Sequence, residues 1–292
     1  MAETMSGNGE RKKIKGYGLG SVDTVLSVDA VNAEAGKIAA EGPSISDLDA
    51  LVSGQPLLAI DSLRAGYGKM EILHDFSLRV GEKQSLCLIG PNGAGKSTIL
   101  HSIYGFTRIW DGMIRVNDTD VTGLSSNEKL RDAGIAYILQ DNSVFPDMTV
   151  EENLLMGGFL KGKPAEAMEA TDRVFEKYDR LRARRNQRAG VLSGGERRLL
   201  EISRALIMDP TVLLVDEPSI GLEPRFIDMV FEILDDLQKS EGKTIIMVEQ
   251  NAKKGLEFAD IGYVLVSGEL ALAGKGDELL ENPDVGRLFL GG

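Results

Sequence analysis

Cysteine and histidine are scarce in this sequence. It contains one cysteine, Cys87, and two histidines, His74 and His101. A single cysteine excludes an internal disulfide, and a reducing cytoplasm is the simplest setting for such a chain. Cys87 lies in an apolar run, where we interpret it as a small buried side chain. Both histidines lie upstream of residue 102, so no motif further along the chain contains a histidine.

Long apolar runs and a basic balance of charge are also missing. No stretch reaches the roughly eighteen apolar residues of a membrane span, and the N-terminus lacks the pattern of a signal peptide. We therefore predict a chain that is neither secreted nor membrane-spanning, so a role at a membrane would need another subunit. The formal net charge of −12 argues against nucleic acid as a partner.

One stretch fits a phosphate-binding pattern at every fixed position. Residues 90–98 match G-x-x-x-x-G-K-[ST] between an apolar run at 85–89 and apolar residues at helical spacing. Glycines let successive N–H groups curl around an anion, and the following helix adds the positive end of its dipole. The loop consists of Gly90, Pro91, Asn92, Gly93, Ala94, Gly95, Lys96, Ser97 and Thr98.

Three side chains of this loop have predicted roles. Lys96 should lie between the β- and γ-phosphates as a point charge, and the Ser97 hydroxyl should ligate Mg²⁺. Thr98 is then free to reach an inner phosphate. The loop therefore predicts a site for a nucleoside triphosphate together with Mg²⁺.

Two acidic residues follow a second apolar run. Residues 211–215 predict a buried strand that delivers Asp216 and Glu217 to its C-terminal end, where open parallel sheets bind ligands. Asp216 is predicted to hold the Mg²⁺ shell, and Glu217 to orient or deprotonate the attacking water. The alternative is a strand that ends in a solvated acidic turn.

A glycine pair opens another predicted helix. Ser193 and Glu196 fit a capping box, but a cap does not explain Gly194 and Gly195, each of which costs about 1 kcal/mol relative to alanine within a helix. We interpret the glycines as a sign that a ligand approaches the backbone closely at a helix N-terminus suited to anions. The alternative is a cap and nothing more.

Two further features allow two interpretations each. Tyr67 stands between glycines upstream of the phosphate loop, where it could stack on adenine or be an ordinary exposed turn residue. Five arginines within residues 180–188 favour a solvated surface with some ion pairs over a docking site.

The chain divides into an extension and one folded domain. Residues 1–56 show no sustained periodicity and predict a mostly disordered, dispensable extension, with only a weak helical signal over 46–51. Residues 57–292 alternate strands and helices, and a helical segment at about 141–199 is inserted between strands.

Taken in this order, the motifs resemble the ATP-binding-cassette ATPases. The resemblance rests on the phosphate loop, Gln140 after a strand, the helical insertion, the Leu-Ser-Gly-Gly-Glu run at 192–196, and the Val-Asp-Glu-Pro run at 215–218. It covers residues 57–292, the expected nucleotide-binding domain. It implies an α/β P-loop NTPase fold, with a RecA-like mainly parallel sheet, an antiparallel β subdomain and an inserted α-helical subdomain.

Finer motifs resemble one branch of that superfamily. The runs at 148–154, 156–159, 187–190 and 248–252 are similar to the branched-chain amino acid importer ATPases of the LivF type. Urea and amide importer ATPases are close relatives. A soluble cassette of an assembly machine, such as one for iron–sulfur cluster building, is a further alternative.

The resemblance also implies roles for individual residues. Tyr67 stacks on adenine, and Gln140 senses Mg²⁺ and the membrane partner. Gln250 stands where most cassettes place a histidine that contacts the γ-phosphate. The signature residues that clasp the γ-phosphate held by a second cassette are Ser193, Gly194 and Gly195.

The implied assembly is a membrane importer. Two cassettes, identical or different, close over two ATP molecules and bind two membrane permease subunits. A periplasmic substrate-binding protein takes part indirectly. The cassette is then cytoplasmic and lies peripherally on the inner face of the cell membrane.

Overall fold

The structure is a computed structural model that describes residues 42–140 and 143–289. Most of the predicted extension, residues 1–41, lies outside the described residues. The strands are β1 (Pro56–Tyr67), β2 (Met70–Gly81), β3 (Ser85–Ile89), β4 (Arg108–Val116), β5 (Thr119–Asp120), β6 (Ile135–Ile138), β7 (Val212–Asp216), β8 (Thr244–Val248), β9 (Ile261–Val266) and β10 (Glu269–Lys275).

The helices follow in the same numbering along the chain. They are α1 (Ile45–Ala50), α2 (Lys96–Tyr104), α3 (Ser126–Arg131), α4 (Val150–Gly157), α5 (Pro164–Lys177), α6 (Asp179–Arg182), α7 (Gly194–Leu206), α8 (Pro224–Lys239), α9 (Ala252–Phe258), α10 (Gly276–Glu281) and α11 (Pro283–Phe289), with a 3₁₀ turn at Ala189–Val191. None of these helices, within the described residues, is long and apolar enough to cross a membrane.

A six-stranded sheet forms the centre of the domain. Its strand order is β10-β9-β3-β8-β7-β6; β9 to β6 run parallel, and β10 pairs antiparallel with β9. Strands β3, β7 and β8 are buried at every position. Such continuous burial is typical of parallel strands covered on both faces. The predicted RecA-like, mainly parallel core is therefore confirmed.

The two faces of this sheet contribute to different cores. Leu86 and Leu88 of β3 belong to one apolar cluster, with Ile99 of α2. Cys87 and Ile89, which point the other way, belong to a second cluster with residues of α8 and α9. Because side chains alternate along a strand, the single short run 85–89 holds both layers together.

A second sheet is antiparallel, with the order β2-β1-β4-β5. The antiparallel subdomain that the resemblance implied is present. Tyr67, for which the sequence allowed a position in a turn, is the last residue of β1. Ser62 and Asp75 have positive φ values of 47° and 52°, and the β1–β2 register shifts along the pair. Such bulges interrupt the alternation of apolar and polar residues on which the prediction relied.

The helices α4 to α7 form the predicted helical subdomain around a separate apolar cluster. A capping box opens α4, since Thr149 N donates to Glu152 Oε2 at 2.7 Å and Glu152 N donates to Thr149 Oγ1 at 3.1 Å. The interpretation of the arginine run as a surface with ion pairs is also confirmed. Its carboxylate pairs are Arg182–Asp179, Arg184–Glu196, Arg185–Glu151, Arg185–Asp172 and Arg188–Asp147.

The N-terminal boundary differs from the prediction. Helix α1 precedes residue 57, and its Leu48 is fully buried in the main core. Asp49 pairs with the buried Arg79 at 3.1 Å, and Gln84 Nε2 donates to Leu51 O at 3.2 Å. The folded domain therefore begins upstream of residue 57, because Leu48 on α1 packs into the main core.

Replacing Leu48 tests this attachment. Leu48→Ala should lower the free energy of unfolding by about 2–5 kcal/mol, because it leaves a cavity under α1. Ile45 lies on the same helix and is 42% exposed, so Ile45→Ala should lower the free energy of unfolding by less than about 1 kcal/mol. Urea unfolding of both variants provides the measurement. Equal stability of Leu48→Ala and the parent chain would mean that α1 does not belong to the cooperative unit.

Candidate active site

The phosphate loop lies at the carboxyl end of β3 and leads directly into α2. Gly95 is the N-cap of this helix, with φ of 98° and no side-chain cap. A side chain there would be strained, and its Cβ would lie 3.0 Å from Leu73 Cδ2. The first N–H groups of a helix have no intrahelical acceptor. The start of α2 therefore offers backbone donors and a positive dipole end to an anion.

Lys96 is folded over its own loop. Its Nζ donates to Gly90 O at 2.8 Å and to Pro91 O at 3.0 Å, and the side chain is buried. Burial lowers the pKa of Lys96 below the usual lysine value, and the negative charges of Glu217 and Asp216 oppose this shift. The carboxylates thus favour the charged form of a lysine at the centre of the loop.

Asp216 receives two hydrogen bonds at the end of β7. Ser97 Oγ donates to its Oδ1 at 3.1 Å, and Tyr137 OH donates to its Oδ2 at 2.8 Å. Burial, and then the Asp216 charge, raise the pKa of Tyr137, so its hydroxyl remains a donor. The arrangement presents hard oxygen atoms, a hydroxyl beside a carboxylate, which is the donor set that Mg²⁺ prefers.

Glu217 lies beside Asp216 in an uncommon backbone conformation. Its φ is 42°, a region that non-glycine residues seldom occupy. Its N–H donates to Val248 O at 2.9 Å, and its Oε2 accepts from Gln140 Nε2 at 2.9 Å. The ends of β6, β7 and β8 therefore meet at Glu217.

Tyr67 and Gln250 border the same edge of the sheet. Tyr67 is 43% exposed, and its hydroxyl forms a hydrogen bond with Nδ1 of His101. His101 packs edge-on against Tyr67 and Tyr137, with ring centroids 5.9 and 5.7 Å apart. Gln250 is exposed in the turn after β8, whereas the preceding Glu249 is 2% exposed.

The signature residues lie at the start of α7. The predicted capping box is present, because Ser193 N donates to Glu196 Oε2 at 2.9 Å and Glu196 N donates to Ser193 Oγ at 3.3 Å. Within the part of the chain that the structure describes, no hydrogen bond joins residues 193–195 to the phosphate loop. The site is thus assembled from the loop and the strand ends alone.

The two glycines of the signature have different structural causes. A Cβ on Gly195 would lie 2.2 Å from Cδ1 of the Phe226 ring, so packing inside the chain requires this glycine. A Cβ on Gly194 would meet only Leu222 Cδ2, at an ordinary 3.5 Å. Packing therefore explains Gly195 without a ligand, and the argument from close approach of a ligand depends on Gly194 alone. The expected contact of both glycines with a nucleotide stays a prediction.

A protein-family comparison matches residues 73–220 to the model described as "ABC transporter". This match covers about half of the chain and includes the phosphate loop, the signature and both strand-end acids. The chain belongs to the ABC transporter family. The resemblance drawn from the motifs is thereby confirmed, and the chain is an ATP-binding, ATP-hydrolysing cassette.

Full-length relatives of this cassette are transport proteins. It is 43% identical to the high-affinity branched-chain amino acid transport ATP-binding protein BraG of Pseudomonas aeruginosa over 236 residues, which cover 81% of this chain and 100% of BraG. It is 37% identical to the probable branched-chain amino acid transport ATP-binding protein LivF of Archaeoglobus fulgidus, covering 80% of this chain and 99% of LivF.

Solved structures of cassettes share the fold. A nucleotide-free ATP-binding cassette from an ABC transporter aligns with a TM-score of 0.71 and 28% identity, covering 82% of this chain and 100% of that one. The P-loop NTPase fold class that the motifs implied is therefore confirmed.

Sequence reasoning missed four side chains of the cassette site. They are His101, Tyr137, Ser219 and Glu249. His101, Tyr137 and Ser219 lie outside the motifs, and Glu249 lies in the 248–252 run, which assigned it no role. Each acquires a partner that is distant in the sequence: His101 bonds with Tyr67, Tyr137 with Asp216, and Glu249 with Ser219. A polar residue at the end of an otherwise apolar run, as at Tyr137 and Glu249, was the one available signal.

Substituting the two signature glycines separates their roles. Gly195→Ala should lower the free energy of unfolding by about 1–3 kcal/mol, because Phe226 must move. The same change in a Phe226→Ala background should cost much less, whereas Gly194→Ala should leave stability unchanged or slightly higher. Thermal unfolding of the four variants checks this, and an equal cost of Gly195→Ala in both backgrounds would contradict the packing explanation.

Proposed function

We propose that this chain is the ATP-hydrolysing subunit of a membrane importer for branched-chain amino acids. The observation that carries the proposal is the 43% identity to BraG over the whole of that protein. The alternatives are a urea or amide importer and a soluble assembly machine. The relatives named above are transport proteins, which favours an importer over the assembly machine.

The proposed mechanism begins with the phosphates. The start of α2 donates backbone N–H groups to them, and Lys96 exchanges the carbonyls of Gly90 and Pro91 for phosphate oxygens. Since Nζ already lies inside the loop, this exchange needs only a small movement of the side chain. Thr98 contacts an inner phosphate, and the face of Tyr67 stacks on adenine, with His101 holding the tyrosine hydroxyl.

Ser97, Asp216 and Gln140 are proposed to hold Mg²⁺. When bound, the ion neutralises charge that develops on the phosphate oxygens. The Tyr137 hydroxyl would hold one Asp216 oxygen in place, and the Ser97 hydroxyl and the other Asp216 oxygen would be available to hold the ion. Only a few protein ligands are required, because Mg²⁺ usually keeps waters and binds substrate phosphates.

Glu217 is proposed to orient the attacking water and to accept its proton. Its backbone is tied to Val248, and its side chain is tied to Gln140. Gln250 donates a hydrogen bond to the γ-phosphate from the neighbouring turn. An amide does not titrate near neutrality, so this contact should not depend on pH.

A second cassette, identical or different, completes the proposed site. The family resemblance implies that Ser193, Gly194 and Gly195 bind the γ-phosphate held by the partner. These residues form no hydrogen bond to their own phosphate loop within the described residues, which is compatible with that role. Gly194 supports this role, because its missing Cβ has no cause inside the chain.

Two permease subunits are the proposed membrane partners, and a periplasmic substrate-binding protein acts through them. A groove of about 430 Å³ between the core and the helical subdomain offers a docking surface. Its lining includes Phe145, Met156 and Phe159, which are 45%, 42% and 78% exposed. Exposed apolar side chains that line one groove support a docking surface better than scattered ones do. The cassette would then lie on the cytoplasmic face of the membrane.

Removing the Glu217 carboxylate tests the catalytic assignment. Glu217→Gln should lower ATP turnover by at least about a hundredfold and preserve ATP binding, because the amide keeps the shape but cannot accept a proton. Glu232→Gln, an exposed acid on α8, is the matched control and should hydrolyse at the parent rate. Turnover by Glu217→Gln near that rate would show that another group activates the water.

Copurification and uptake together test the importer. The tagged chain should bring down hydrophobic membrane-spanning subunits, and cells that lack it should lose uptake of labelled leucine but not of urea. Phe159→Asp should weaken the copurification severalfold without changing ATP binding. Met168→Asp, a 58% exposed residue outside the groove, should not. Recovery of soluble proteins alone would favour the assembly machine.

A further inference from the structure

Glu249 is a buried carboxylate without a cationic partner. It is 2% exposed, and among the described residues no lysine, arginine or histidine forms an ion pair with it. Its Oε2 is buried and has no hydrogen-bond partner. The other buried acids of this part of the chain differ, since Glu201 pairs with Arg198 and Asp216 belongs to the active site. Desolvating an unpaired carboxylate opposes folding, so core packing does not account for Glu249.

Its other oxygen connects two turns. Glu249 Oε1 accepts from Ser219 Oγ at 2.7 Å and from Asn251 N at 2.9 Å. The Asn251 bond closes the turn that carries Gln250, and Ser219 lies two residues after Glu217. The backbone bond from Glu217 N to Val248 O, at 2.9 Å, runs beside this connection. One carboxylate oxygen thus holds the turn after β8 against the turn after β7.

The neighbouring helix leaves room for this side chain. A Cβ on Gly255 in α9 would lie 3.1 Å from Glu249 Cβ and 2.6 Å from Cys87 Sγ. Glycine inside a helix is less stable than alanine there. Helix α9 therefore contains a glycine, despite its low helix propensity, at the position where Glu249 Cβ packs against it.

The turn that Glu249 holds also reaches the signature. A cavity of about 200 Å³ is bordered by Gly194 and Gln140 and, from this turn, by Pro218 and residues 220–222, which flank Ser219 in the chain. A shift of this turn would be transmitted through Ser219 to the turn of Gln250.

We propose that Glu249 is a positioning residue for ATP hydrolysis, which fixes Gln250 relative to Glu217 by binding Ser219 and the Asn251 N–H. This inference rests on the proposed contact of Gln250 with the γ-phosphate. Glu249 itself touches neither nucleotide nor metal; it acts through the turn that it closes.

Three substitutions in the full chain separate positioning from folding. Glu249→Met removes both hydrogen bonds and fills the site with an apolar chain of similar length. It should lower kcat about ten- to a hundredfold with little change in KM, while the Tm stays equal or rises. Glu249→Gln keeps an acceptor oxygen and should restore kcat to within about threefold of the parent. Ser219→Ala should lower kcat severalfold, and Glu257→Gln, an exposed acid on α9, is the control.

A double-mutant cycle with Gln250→Ala decides the inference. If Glu249 acts through Gln250, then Glu249→Met and Ser219→Ala should each lower kcat by less than twofold in the Gln250→Ala background. Equal losses in both backgrounds, or an unchanged kcat for both single variants, would overturn it. Should Glu249→Met fail to fold, the Ser219→Ala cycle gives the same decision.

The cycle also distinguishes this inference from the proposed function. Full activity of Gln250→Ala, with hydrolysis still dependent on Glu217, would overturn the positioning role and leave the ATPase mechanism in place. A parent chain that neither binds nor hydrolyses ATP would instead contradict the proposed function.

Discussion

The hydrogen bond from Ser97 to Asp216 joins the two halves of the site. It ties the first turn of α2 to the end of β7, although 119 positions separate the two residues along the chain. It can form because β3 and β7 flank β8 in one parallel sheet, so that their carboxyl ends open at the same edge. The remaining site side chains follow from this geometry: Tyr137 arrives on β6, and Glu249 and Gln250 follow β8. The antiparallel sheet contributes Tyr67 from outside.

Local signals predicted the parts of the fold that depend on short stretches of sequence. The phosphate loop, the capping boxes and the apolar runs of β3, β7 and β8 each carry their information within a few residues. Strand β1 does not, because its bulges at positive φ break the alternation of burial. The sequence carries only a weak signal for helix α1, because six residues are too few to show a reliable helical period of apolar residues. The burial of one side chain, Leu48, attaches this helix to the core.

The site residues that belong to sequence motifs could be predicted, whereas those that depend on contacts between distant segments could not. Lys96, Ser97, Asp216 and Glu217 follow from spacing and residue type. The sequence does not reveal that Tyr137 donates to Asp216, because this pairing needs two strands to lie side by side. Glu249 is a similar case. In the sequence it is an ordinary acidic residue beside Gln250, and only the structure shows that it is buried and that, among the described residues, no cation pairs with it.

The contact between Gly195 and Phe226 bears on how signature sequences are interpreted. In this chain a structural requirement keeps the second glycine small, whatever happens at the surface of α7. A descendant that had stopped binding nucleotide through this helix would therefore retain Gly195 as long as it retained Phe226. Gly194 has no such neighbour, so it would be replaced by other residues first. In an alignment, loss of the first glycine with retention of the second would thus indicate a cassette that no longer binds nucleotide through this helix.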